Sequence, residues 1–110
     1  MAALTEFHHE FLLMLAYLYL QNAKWDRAFA VLNALRALRP HDRQVARCLA
    51  YAQLQTGDAR GAVREVDAAF GATPAVEDAE AARLIKARAF WNLGLADEAR
   101  RVLEPLRPAS

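Results

Sequence analysis

The chain has 110 residues, 55% of them hydrophobic and 25% charged, with a net charge of +1. That length supports one domain with a continuous but thin core. The balanced charge leaves no footprint of a general nucleic-acid or membrane-surface binder. So high an apolar share means either an unusually complete core or apolar surface left for a partner.

In chain order, Thr5 is the expected N-cap and Glu6 suits a first helical turn, so helix one is expected over residues 6–21. Its centre, Phe11 to Leu20, is ten consecutive apolar or aromatic residues. That run is too short to cross a bilayer, which needs roughly 20. A helix apolar all round must be covered on more than one side. One flank is therefore expected to pack on the domain and the other to line a groove for a partner.

Asn22-Ala23-Lys24 makes a short turn, and Ala28, Val31, Leu32, Leu35 and Leu38 repeat at helical spacing through helix two, residues 25–38. Pro40 forbids its continuation and restricts Arg39. Asp42 is placed to cap helix three, residues 43–55, which ends at Thr56-Gly57-Asp58. Helix four, residues 59–70, stops at Gly71-Ala72-Thr73-Pro74. Helix five spans about residues 76–93, Gly94 closes it, and helix six runs from Ala96 to about Leu106 before Pro108. No segment alternates as a strand does.

The expected fold class is therefore all-α, a single domain over residues 1–110. Cys48 is the only cysteine, so no internal disulfide forms and a reducing compartment is the simplest setting. The opening residues lack a basic n-region and a small-residue cleavage signal, so a cytoplasmic location is expected. Arginine outnumbers lysine twelve to two and alanine occurs 25 times, a bias that fits a GC-rich bacterial genome.

The punctuation recurs, which favours a solenoid over a bundle. Pro40 and Pro74 lie 34 residues apart, as do Ala28 and Ala62, and Gly94 to Ala99 repeats the layout of Gly57 to Ala62. Period and small residues resemble the tetratricopeptide repeat. The resemblance implies about three helix-turn-helix hairpins made of six helices, with repeats over residues 6–40, 42–74 and 76–107. Ala16, Ala50 and Ala87 take the small position of each first helix, and Ala28, Ala62 and Ala99 that of each second helix. Leu12, Leu15, Tyr19 and Leu49 take the large positions. The third repeat departs from the pattern, with Lys86 at a usually apolar position and about three extra residues after Pro74.

In such repeats the first helices line a concave face. The resemblance puts Leu13, Tyr17 and Leu20, then Arg47, Tyr51 and Leu54, then Leu84, Arg88 and Trp91 on that face. Tyrosine, tryptophan and arginine dominate binding hot spots. The expected ligand is an amphipathic helix or extended segment with apolar anchors. The lysine and asparagine clamp of cochaperone repeats has Leu13, Tyr17 and Arg47 at its positions here, so a heat-shock-protein tail is not the expected ligand.

The residues offer little else to chemistry. His8 and His9 are adjacent, so their rings point about 100 degrees apart on a helix and cannot make a metal pair; they read as polar surface, and His41 as a turn residue. Cys48 reads as a small buried side chain rather than a reactive thiol. The four glycines are scattered, giving no phosphate-cradling loop. Asp26, Asp58, Asp97 and Glu98 recur at turns, where capping explains them, and Glu77, Asp78 and Glu80 suit the start of helix five. No enzyme, cofactor or metal is expected.

A closer likeness lies in Glu10 to Leu13, Arg27-Ala28, Leu32, Ala34-Leu35, Leu38, Pro40 and Arg47-Cys48. These residues resemble the small YscY-type chaperones of bacterial type III secretion, most strongly over the first 50 residues. The resemblance implies a cytoplasmic, non-enzymatic chaperone with a small secreted partner of the YscX type. It further implies presentation of the pair to the inner-membrane export gate protein, without nucleic acid or membrane insertion. The alternatives are a chaperone of translocator proteins and a repeat scaffold that self-associates as a homodimer.

Overall fold

The computed structural model describes the backbone of residues 2–71 and 76–106, with side chains over residues 8–71 and 79–105. Among these residues there are six α-helices and no strand: α1 (Ala2–Gln21), α2 (Trp25–Leu38), α3 (Arg43–Gln55), α4 (Ala59–Phe70), α5 (Val76–Asn92) and α6 (Ala96–Leu103). A 3₁₀ turn over Glu104–Leu106 ends the described chain where Pro105 breaks the α-helical hydrogen-bond ladder. Thr73, Pro74 and Pro108 lie outside the described residues, as do the side chains of Thr5, Glu6, Glu77 and Asp78.

The expected boundaries hold for α2 and α4, and Asp42 caps α3 by accepting from the amides of Gln44 and Val45 at 2.9 and 3.3 Å. Two expectations need correction. The first helix begins at Ala2, not after Thr5, because Ala2, Ala3 and Leu4 are strong helix formers that extend it. Of the four turn carboxylates named as caps only Asp58 caps, accepting from the Gly61 amide at 2.9 Å. Asp97 and Glu98 instead pair with Arg100 and Arg101 one turn on, and α2 begins after Lys24 with no side-chain cap.

Three turns share one hydrogen-bond pattern. Lys24 N–H donates to Tyr19 C=O and Ala23 N–H to Leu20 C=O; Asp58 donates to Gln53 and Gly57 to Leu54; Leu95 donates to Phe90 and Gly94 to Trp91. This is the paired bonding of a helix closed by one left-handed residue, and φ at Ala23, Gly57 and Gly94 is 57°, 90° and 78°. Each turn then opens the next helix with the same bond, to Lys24, Asp58 or Leu95 C=O from the residue four later.

Each helix packs on the next in sequence. The closest pairs are α1 with α2, α3 with α4 and α5 with α6, while α3 also meets α1 and α5. The result is elongated, 51 × 27 × 22 Å. Its core falls into two clusters, one of Leu13, Ala16, Leu20, Ala28, Leu32, Leu35, Val45, Cys48, Leu49 and Ala52. The other joins Ala50, Ala62, Val66 and Phe70 to Ala82 and Ala89. The small residues expected at helix crossings, Ala16, Ala28, Ala50, Ala62, Ala87 and Ala99, are all buried.

Ion pairs tie the hairpins together. Arg36 of α2 reaches Glu65 of α4 at 2.6 Å, and Lys86 of α5 reaches Asp67 of α4 at 2.9 Å. The second explains how a lysine occupies a position expected to be apolar. His9, expected on the surface, is 5% exposed, a correction. Its Nε2 lies 2.9 Å from Asp42 Oδ2, so the residue that caps α3 also holds α1. No helix among the described residues is long and apolar enough to cross a membrane.

Candidate functional site

Helix α1 presents three kinds of surface. Leu13, Ala16 and Leu20, at positions i, i+3 and i+7, are buried, while Leu12, Leu15 and Tyr19 are half-buried. Phe11, Met14, Tyr17 and Leu18 remain exposed at 50%, 55%, 41% and 48%. A helix hydrophobic on every side thus has only part of its girth covered by α2 and α3.

On one flank of this helix lies an open groove of about 410 Å³. Helix α1 supplies Tyr17, Leu20 and Gln21; α3 supplies Arg47, Cys48 and Tyr51; α5 supplies Ile85. Tyr17, Gln21 and Leu20 share a helical face, as do Arg47, Cys48 and Tyr51, because residues three and four apart are neighbours. Tyr51 is 44% exposed, and its ring meets that of Trp25 edge to face, with centroids 6.3 Å apart and planes at 61°. Such an edge contact fixes the ring's orientation while leaving the rest of it open.

Cys48 sits in the floor, buried as expected. Burial pushes its thiol pKa up, against the lowering influence of a hydrogen bond with the Tyr17 hydroxyl and of the Arg47 charge. The Tyr17 hydroxyl is likewise pushed up, first by burial and then by Cys48. A protonated thiol held below a tyrosine is a poor nucleophile. Arg47 is half-buried, and its Nε is enclosed without a hydrogen-bond partner among the described residues.

The nine residues expected on the concave face separate into three groups. Tyr17, Leu20, Arg47 and Tyr51 come together in the groove. Leu13 and Leu54 do not line the groove and take packing positions. Leu13 is 9% exposed in the first core cluster and Leu54 packs against the second, because neighbouring helices cover that edge of α1 and α3. Leu84, Arg88 and Trp91 form an exposed stripe on α5, with Trp91 64% exposed, but do not line the groove. Ile85, which that expectation missed, takes the place on α5. It lies 37 residues after Cys48, the interval that also separates Ala50 from Ala87 and Gly57 from Gly94, so the longer spacing of the third repeat was the signal that marked it.

Among the described residues no group of three His, Cys, Asp or Glu side chains could hold a metal ion. The groove's residues offer aromatic faces, aliphatic floor and one guanidinium, which is the chemistry of a binding surface. No family model, curated protein or solved structure matches this chain.

Proposed function

We propose that the chain is a tetratricopeptide-type helical repeat that acts as a non-enzymatic chaperone, holding a segment of a client protein in the groove between α1, α3 and α5. The single observation that carries this reading is the groove itself. Tyr17 and Tyr51, one period apart on successive first helices, stay exposed over an apolar floor while Trp25 braces one of them. A contiguous exposed apolar patch on so small a chain marks an interaction surface. The repeat reading is supported by three turns with one hydrogen-bond pattern, spaced 34 and 37 residues, and by six buried alanines at equivalent positions.

The sequence's likeness to YscY-type chaperones specifies the client as a small secreted component of a type III export apparatus, of the YscX type. The setting is then cytoplasmic, with delivery to the inner-membrane export gate as the final step. A secreted protein that must stay unassembled needs its apolar segment covered, and this groove covers one. Co-expression with the small open reading frames beside the gene tests it. A soluble complex of the chain with one of them is expected, and failure of every neighbour to copurify would contradict it.

The exposed Phe11, Met14 and Leu18 favour a second reading, self-association through α1 when the client is absent. Light scattering separates the two: a homodimer that keeps its mass when the client is added supports the scaffold reading.

A further inference from the structure

Arg47 is the one charged side chain among the residues that line the groove. No carboxylate stands among those lining residues to pair with it.

Arg47 stands on α3, four residues before Tyr51. Its Nε is buried without an acceptor, and neither Arg47 nor Arg88 has an ion pair among the described residues. A buried donor left unpaired is costly, and such groups in folded proteins are nearly always satisfied. The planar guanidinium fork matches a carboxylate with two parallel hydrogen bonds.

Resting on the groove-binding reading above, we infer that the occupant is an apolar protein segment carrying an aspartate or glutamate that pairs with Arg47. Tyr17, Leu20, Tyr51 and Ile85 take its apolar side chains, and the pairing fixes its register. A phosphodiester chain does not fit this surface, because Leu20, Ile85 and the protonated Cys48 offer its phosphates no array of donors. Charge complementarity of this kind raises on-rate and suppresses wrong partners.

The probe is a library of random peptides, about 16 residues each and long enough for roughly four helical turns, displayed on phage and panned on the immobilised full chain. Apolar peptides enriched in aspartate and glutamate over lysine and arginine are expected. Replacing the acid of a selected peptide by its amide should weaken binding about tenfold. That difference should vanish on the R47Q variant and shrink less on R88Q, with circular dichroism confirming that both remain folded. R47E should instead select basic peptides.

Peptides that bind equally well as acid and amide would overturn the inference, as would a preference for acid that survives R47Q. If Y51A still abolishes binding in that case, the groove reading stands while the charge pairing falls. Enrichment of nothing above the bare matrix would overturn both.

Discussion

Ala23 is the one non-glycine among the described residues with a positive φ, 57°, at a turn whose counterparts are Gly57 and Gly94. An L-residue in this region brings its Cβ close to the following carbonyl, which costs roughly 1–2 kcal/mol. Glycine removes that cost but loses more backbone freedom on folding, which offsets up to about 1 kcal/mol. Ala23→Gly should therefore stabilise the fold by about 0.5–1 kcal/mol. With about 2.1 cal/mol/K of unfolding entropy per residue and 110 residues, 1 kcal/mol corresponds to about 4 °C, so Tm should rise by about 2–4 °C.

The reciprocal changes, Gly57→Ala and Gly94→Ala, isolate the same effect, since a Cβ at either site meets nothing within 4 Å. Each should lower Tm by a similar amount. Scanning calorimetry of the three variants is the assay. If Ala23→Gly lowers Tm or leaves it unmoved while Gly57→Ala destabilises, the three turns do not share a conformation and the structural repetition fails.

Replacing Tyr51 or Tyr17 by alanine should each weaken the client complex by about 2 kcal/mol, roughly thirtyfold in Kd, with circular dichroism unchanged; affinity within twofold of the original would move the site elsewhere. Glu65→Gln breaks the 2.6 Å pair with Arg36 that joins α2 to α4. Because Arg36 is more than a third exposed, the loss in urea unfolding should be only about 1 kcal/mol. Cys48 and Tyr17 bind their protons more tightly in the fold than their ordinary pKa values of 9.0 and 10.0 imply. Below pH 9 both states keep the thiol proton; above it the unfolded chain releases protons first, so stability falls as pH rises. Cys48→Ala should flatten that alkaline decline in a pH series of urea midpoints, and an unaltered slope would show that the thiol is not held protonated.

The helices were legible because their ends carry strong local signals. Pro40 after Arg39, Asp42 before α3 and glycine after α3 and α5 act within one turn of the chain, where sequence alone determines conformation. Half of the site was legible for a similar reason, since Tyr17 and Tyr51 fall one period apart. The burial of Leu13 was not, because whether an apolar residue lines a groove or a core depends on how far a neighbouring helix leans over it. Leu13 and Tyr17 stand four positions apart on α1, yet one is covered and the other is not. His9 escaped for the same reason. Its partner Asp42 lies 33 residues on, and nothing local in the sequence marks a pair that only tertiary packing brings to 2.9 Å.

Hydrogen exchange of the chain with and without its copurified client tests the central claim most directly. Client binding should slow exchange in α1 over residues 11–21, in α3 over residues 43–55 and around Ile85, and leave α2, α4 and α6 unchanged. Protection confined to α2, α4 and α6, or absent from the segments that carry Tyr17 and Tyr51, would place the client on another surface and contradict the account.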